Sequence, residues 1–258
     1  MNPTDVSAID ASRAEIGLVC SLSLEIAPFL SRCQRVKTYS GGAFKFVGGI
    51  YNGIRVAVVE AGTGSVRARR ATLALLDAHQ PAWIVSTGFA GALQPELKIG
   101  HIVVANEIVG LQGEPLKIDV GMNSDPASGL HVGRTLTVDQ MLRTIVDKQT
   151  LAVQTGAIAV DMESLAVATV CRETKTRFMA VRAISDDLSA DLPPEVLSLV
   201  GETGAVRMGA VLASLWKRPS SIKDMWRLRE NAVGASERLA DFLDGVVIQL
   251  HRAVSQPG

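Results

Sequence analysis

The segment covering residues 156–191 constrains the fold most, because two apolar runs in it each end in acidic residues. Residues 157–160 lead into Asp161, Met162 and Glu163, and residues 178–185 lead into Asp186 and Asp187. Apolar runs of this length are typical of strands in a sheet that is covered on both faces. Ligands bind such sheets just beyond the carboxyl ends of the strands. The two acidic clusters therefore predict an enzyme site for acid–base chemistry or for gripping a polyol.

Apolar runs and helical periodicity alternate along the rest of the chain, which predicts an α/β fold. A short helix containing Pro28 is expected after the first strand. Residues 88–91 are expected to form a tight loop. Residues 111–128 are expected to form a loop, which could act as a lid over a site. We expect residues 1–14 to form a flexible tail and residues 15–258 a single domain. The predicted strands cover residues 15–20, 43–50, 54–60, 83–87, 101–109, 157–160 and 178–185, and the predicted longer helices residues 65–78, 195–216 and 221–254.

Composition narrows the classes of ligand. Basic and acidic residues balance at 26 each, which predicts a small ligand rather than nucleic acid or an anionic membrane surface. The three cysteines lack CxxC spacing, which favours a reducing cytoplasm over a disulfide framework. The four histidines are widely separated, so no metal site is expected. No signal-peptide pattern and no apolar run of about 18 residues is found, so no transmembrane segment is expected.

A glycine turn follows the strand at residues 54–60. Gly62 and Gly64 resemble the start of a dinucleotide fingerprint, but Arg67 stands where the third glycine would be. The turn could present backbone N–H groups to an anion at a helix N-terminus, with Arg67 close by. A strand–helix turn with solvent-facing arginines is the alternative, and taken alone the turn favours that alternative.

Six motifs in order resemble the nucleoside phosphorylases and nucleosidases, enzymes that cleave N-ribosidic bonds. The nearest likeness is to the 5′-methylthioadenosine/S-adenosylhomocysteine nucleosidases, and a second is to the hopanoid-associated phosphorylases. The resemblance runs from Glu15 onward and implies a three-layer αβα fold with a central twisted mixed sheet. The motifs are IGLV at residues 16–19 with Glu25 behind it, GTG at 62–64, TGFAG at 87–91, KIGHIVV at 98–104, VDMES at 160–164 and VRAISD at 181–186.

The resemblance implies a role for each site residue. Asp186 is expected to be the general acid that protonates N7 of the departing base, with Ser185 supporting it. Glu163 is expected to hold the ribose hydroxyls and to favour the cationic sugar, with Met162 packed against the ribose. Glu25 is expected to orient the attacking water. No cofactor is implied, although phosphate is a possible co-substrate, and a homo-oligomer is expected.

Several positions depart from the family pattern. Gly88 and Phe89 lie in the motif nearest the nucleophile, where relatives carry a small hydroxyl residue at position 89. Asp161 replaces the usual glutamate, and residues 137–140, where a base-stacking aromatic is expected, contain none. The resemblance implies an adenosine-type nucleoside as the substrate, and Glu25 together with Phe89 favours hydrolysis of it. Phosphorolysis, including that of a lipid-linked adenosyl substrate, and a non-catalytic nucleoside-binding protein remain alternatives.

Taken one at a time, each of these acids also has a purely structural interpretation. Asp186 could cap a turn, Glu163 could be a carboxylate at a helix N-terminus, and Glu25 could be a solvated helix residue. Because the acids occur within ordered motifs, the functional readings are favoured.

Overall fold

The computed structural model describes residues 13–194, residue 196 and residues 221–255. A ten-stranded mixed sheet forms its centre, in the order β10-β6-β8-β9-β5-β1-β4-β3-β2, with β7 paired to β6. The strands are β1 Ile16–Cys20, β2 Gln34–Gly41, β3 Phe44–Tyr51, β4 Ile54–Glu60, β5 Trp83–Ala92, β6 Ile102–Val109, β7 Leu116–Lys117, β8 Leu130–Thr137, β9 Ala159–Asp161 and β10 Arg177–Asp186. The helices are α1 Ser23–Ser31, α2 Ser65–His79, α3 Ile145–Thr155, α4 Ser164–Thr174 and α5 Ser221–Ser255.

Helices cover both faces of the sheet, as the apolar strands predict. In β1, Leu18 packs into a core with Phe29 of α1 and Leu243 of α5. The next residue, Val19, faces the opposite way and packs into a second core with Leu75 of α2. Successive side chains of a strand point to opposite faces, so an all-apolar strand needs a core on each side. The predicted three-layer α/β arrangement follows from this alternation.

The strand pairing also closes into a ring. β10 pairs in parallel with β5 and antiparallel with β6, while β8 and β9 complete the path from β6 back to β5. A closed path leaves the ring strands without free edges and brings the ends of β5, β9 and β10 together. This junction is where both acidic clusters of the sequence lie.

The prediction that β5 ends at residue 87 and turns tightly at residues 88–91 is wrong. β5 continues to Ala92, because its backbone pairs with β10 through Gly91 and with β9 at Gly91 and Ala92. A tight hairpin at Asn52 and Gly53 joins β3 to β4, with φ values of 47° and 83° that suit this turn.

Other elements were not predicted from the pattern. β2 is an edge strand with mostly exposed side chains and no apolar alternation, and neither β8 nor α3 was expected. The loop at residues 111–128 contains only β7 and a 3₁₀ turn, Pro126–Ser128, and its function as a lid stays a prediction. Apart from residue 196, the helix expected at residues 195–216 lies outside the described residues.

The C-terminal helix expected at residues 221–254 is confirmed as α5. Its buried residues, which include Leu239, Val247 and Leu250, pack into the core that α1 and β1 share. Within the described ranges, no helix is both long and apolar enough to cross a membrane.

Gly17 lies where α2 packs tightly against the sheet. A Cβ there would lie 2.7 Å from Ile84 Cδ1 and 3.0 Å from Leu75 Cδ2. We therefore expect Gly17→Ala to lower the free energy of unfolding by about 1–3 kcal/mol, as overpacked cores do. Urea denaturation measures the change. The control is Gly48→Ala in β3, where a Cβ meets no atom within 4 Å; equal stability of the two variants would contradict the packing.

Candidate active site

Strand register brings the two acidic clusters to one edge of the sheet. Gly91 of β5 pairs with Asp186 of β10 on one side and with Val160 of β9, one residue before Asp161, on the other. A Cβ on Gly91 would lie 2.9 Å from Asp186 Oδ2 and 3.3 Å from Val160 Cγ1. The missing side chain therefore allows the ends of the three strands to approach closely.

A buried ion pair lies beneath this edge. Arg182 Nε donates to Asp161 Oδ2 at 2.9 Å, and both side chains are at most 2% exposed. The Arg182 guanidinium also donates to Ser86 Oγ at 2.8 Å and to Ser164 Oγ at 2.9 Å. Asp161 Oδ1 accepts from Thr137 Oγ1 at 2.8 Å. The pair thus ties together β5, β8, β9, β10 and the start of α4.

Glu163 is positioned by that pair at the N-terminus of α4. Its backbone N–H donates to Asp161 Oδ1 at 3.1 Å, and its Oε1 accepts from the Gly64 N–H at 2.8 Å. Burial, followed by the charge of Asp161, raises the pKa of Glu163 to about 7, against the opposing effects of Arg182 and the Gly64 N–H. The carboxylate is therefore poised to change charge near neutral pH, as functional acids often are.

Glu25 is held by three backbone donors. Its Oε2 accepts from the N–H groups of Ser21 at 2.8 Å and Leu22 at 2.9 Å, and its Oε1 accepts from the Phe89 N–H at 3.0 Å. A Cβ on Gly88 would lie 2.7 Å from Oε1, so a residue without a side chain is needed there. Burial raises the pKa of Glu25, and the N–H donors oppose that rise. The solvated-helix reading of Glu25 is excluded, because the residue is 4% exposed.

Asp186 accepts hydrogen bonds at both oxygens. Ser185 Oγ donates to Oδ1 at 3.0 Å, and Lys148 Nζ of α3 makes a very short contact with Oδ2. The Lys148 side chain is 1% exposed and the Asp186 side chain 17% exposed, so the carboxylate is more accessible to solvent than the ammonium that contacts it.

The structure locates the other predicted site residues, and their functional roles stay predictions. Met162 packs against the core beside Leu136, and its carbonyl accepts from Ser65 Oγ at 3.2 Å. Phe89 packs against the core shared by α1 and α5, so its contact with Glu25 is through the backbone N–H. Arg67 Nε donates to the Ala61 carbonyl at 2.7 Å.

The anion cradle at Gly64 stays a prediction. Its N–H already donates to Glu163, so an anion would compete with a carboxylate for that donor. No group of three or more histidine, cysteine or acidic residues able to hold a metal ion occurs in the part of the chain that the structure describes.

Sequence reasoning missed two cations and undervalued one acid. Arg182 stands inside the apolar run of β10, where a charge must be paired to be buried, and that was a readable signal. Asp161 drew notice only as a departure from the family pattern, although it is the ion-pair partner of Arg182. Lys148 gave no signal, because α3 was not predicted and its contact with Asp186 spans 38 residues of sequence.

The family assignment follows from comparison with known proteins. A model of the Phosphorylase superfamily matches residues 15–127 and residues 121–216. The chain therefore belongs to this superfamily, which confirms the resemblance read from the six motifs.

Individual relatives are more distant. The chain is 25% identical over 229 residues to 5′-methylthioadenosine/S-adenosylhomocysteine nucleosidase of Tolumonas auensis, covering 78% of this chain and 100% of the relative. It is 24% identical over 216 residues to the enzyme of the same name from Shewanella loihica, covering 74% and 94%.

A solved structure confirms the mixed α/β fold. The 5′-methylthioadenosine/S-adenosylhomocysteine nucleosidase of Helicobacter pylori with butyl-thio-DADMe-Immucillin-A superposes with a TM-score of 0.70 at 20% identity. The match covers 92% of this chain and 99% of that one.

Glu163 gives the site a testable pH signature. Because the folded-state pKa of about 7 exceeds the ordinary 4.5, the proton stabilises the folded state, and this contribution is lost as pH rises through about 7. We expect Glu163→Gln, which carries no charge, to gain stability relative to the wild type by up to about 3 kcal/mol between about pH 4.5 and about pH 8. Denaturant titrations across that range measure the difference.

Glu173→Gln is the control for this measurement. Arg69 lowers the pKa of this exposed carboxylate below its ordinary 4.5, so Glu173 is ionised in both the folded and the unfolded state across this range, and the stability difference between the control variant and the wild type should not change with pH. A stability difference between Glu163→Gln and the wild type that does not depend on pH would contradict the burial argument.

Proposed function

We propose that this chain hydrolyses the N-ribosidic bond of an adenosine-type purine nucleoside. The named relatives are nucleosidases, and the chain retains an acid at each position that the resemblance assigns to this chemistry. The observation that carries the proposal is the placement of Glu25, Glu163 and Asp186 at one edge of the sheet by fixed backbone and side-chain contacts.

Asp186 would act on the base. Cleavage builds negative charge on the departing purine, and a proton delivered to N7 relieves it. Ser185 Oγ bonds the far oxygen of the carboxylate at 3.0 Å and so restricts its rotation. The arrangement supports a general acid aimed from the end of β10.

Glu163 would act on the sugar. The ring becomes oxocarbenium-like as the bond breaks, and a nearby carboxylate stabilises that positive charge more than it stabilises the neutral ground state. Met162, the preceding residue, would supply an apolar surface to the ribose.

Glu25 favours water over phosphate as the nucleophile. A carboxylate has about four lone-pair sites, and three backbone N–H groups use three of them here. The remaining site could accept a hydrogen bond from a water molecule and orient its oxygen. A phosphate dianion in the same place would meet the negative charge of a buried carboxylate, which is strongly unfavourable.

Phosphorolysis is the second candidate, and one observation favours it. The N–H of Gly64, which caps the N-terminus of the 15-residue helix α2, donates to Glu163, and Arg67 lies in the first turn of this helix. A phosphate that displaced Glu163 from Gly64 would gain that helix terminus. A cytoplasmic location and a homo-oligomeric assembly remain proposals that rest on the family resemblance.

A panel of nucleosides tests the proposal. The purified chain is incubated with adenosine, 5′-methylthioadenosine, S-adenosylhomocysteine and inosine, with and without phosphate, and products are identified by mass spectrometry. We expect free base and free sugar at a rate independent of phosphate. A ribose 1-phosphate product would establish phosphorolysis instead, and binding without any released base would establish a non-catalytic protein.

Asp186→Asn tests the general acid. We expect turnover to fall by at least ~10²-fold, the usual scale of general-acid catalysis, while nucleoside binding is retained. Asp187→Asn is the matched control, because Asp187 bonds the Ser189 N–H in the next turn and should leave turnover within about threefold. Near-normal turnover by folded Asp186→Asn would remove Asp186 from its role.

A further inference from the structure

Lys148 is a buried charged group that contacts a proposed site residue and that the proposed chemistry has not used. Its side chain is 1% exposed in α3, and its ammonium makes a very short contact with Asp186 Oδ2. A buried lysine is costly unless it is paired, and among the described residues the partner of its side chain is the carboxylate assigned to the departing base.

Three features of the fold position the contact between Lys148 and Asp186. The start of α3 is fastened to the segment after Asp186, since the Ile145 N–H donates to Asp191 Oδ1 at 2.8 Å and Arg143 exchanges backbone and side-chain bonds with Leu192. Gly91 is the third feature. Its missing side chain leaves room for Asp186 Oδ2 and Lys148 Cε, which lie 2.9 and 3.5 Å from where a Cβ would stand.

The contact gives Asp186 a direct source of a proton. Ser185 Oγ donates to one oxygen of Asp186 and Lys148 Nζ contacts the other, so a nitrogen that carries protons touches the carboxylate assigned to the departing base. A general acid must carry a proton when the base leaves. The nearest group that can supply this proton is the ammonium of Lys148. Asp187 lies within electrostatic range of both Lys148 and Lys98, and it accepts a hydrogen bond from the Ser189 N–H in its own turn.

We propose that Lys148 is a positioning residue that supplies, through Asp186, the proton that the departing base receives. This inference rests on the proposed nucleosidase function. As the glycosidic bond breaks, its electron pair stays on the base; one Nζ–H bond of Lys148 breaks, the proton passes to the Asp186 carboxylate and from there to N7 of the base. The attacking water bonds to the sugar and loses a proton to Glu25 or solvent. Exchange with solvent returns Lys148 to the ammonium form, so the enzyme ends with the protons it began with.

The choice of leaving group separates proton supply from a structural role. A purine needs protonation to leave, whereas p-nitrophenolate is stable as an anion and does not. The test compares release of purine with release of p-nitrophenol from a riboside carrying the same 5′ group, using the full chain. We expect Lys148→Met to lower purine turnover by at least ~10²-fold and p-nitrophenol release by less than about threefold. Equal losses on both substrates would overturn the proposal in favour of a structural role.

A second variant separates proton supply from charge alone. Lys148→Arg keeps a cation against Asp186, but a guanidinium does not give up a proton in proteins. We expect it to be as slow on the purine as Lys148→Met while still releasing p-nitrophenol, which also reports that the site is folded. Recovery of purine turnover by Lys148→Arg would show that charge suffices and would overturn proton supply.

The double variant tests whether the two residues act as one unit. If the proton passes through both, Lys148→Met combined with Asp186→Asn should be no slower on the purine than Asp186→Asn alone. Losses that multiply would overturn the shared path. If the wild type releases neither purine nor p-nitrophenol, the proposed function is wrong and this inference is wrong with it. If the wild type is active but the Lys148 variants lose purine and p-nitrophenol release equally, the proposed function stands and only the role of Lys148 is overturned.

Discussion

The ion pair between Arg182 and Asp161 is the interaction on which the site depends. It lies beneath the meeting point of β5, β9 and β10, and its hydrogen bonds reach Ser86, Thr137 and Ser164. Removing one partner would leave the other charge buried and unpaired, which typically costs about 3–5 kcal/mol. The pair also fixes the first residues of α4, and so it determines where Glu163 points.

The acids above the pair are held by different means. Glu25 is fixed by backbone N–H groups of a loop and a strand, Glu163 by a helix start, and Asp186 by side chains from β10 and α3. Each is thus positioned by contacts that involve no ligand, as preorganised electrostatic catalysis requires. Two glycines of β5 make this possible, because a side chain at either position would occupy the space of a carboxylate.

Much of this architecture was readable from sequence. The apolar runs of β1, β4 and β10 predicted a sheet buried on both faces, and the acids after β9 and β10 predicted the edge that carries the site. The extension of β5 was not readable, because glycine-rich strands and glycine turns have the same local signature and pairing with β9 and β10 decides between them. The contact of Lys148 with Asp186 was not readable either, since nothing local to α3 predicts a partner 38 residues away.

The bond between Glu163 and the Gly64 N–H has a consequence for sugar selectivity. Oε1 of the carboxylate accepts from that N–H without any ligand, so it keeps a donor whether or not a sugar hydroxyl binds nearby. With Glu163 in its proposed role, a deoxy sugar would strand no buried acceptor at that oxygen and would meet a smaller penalty for the missing hydroxyl. This arrangement would favour tolerance of deoxynucleosides in the ground state and would confine discrimination to the moment when the sugar carries charge.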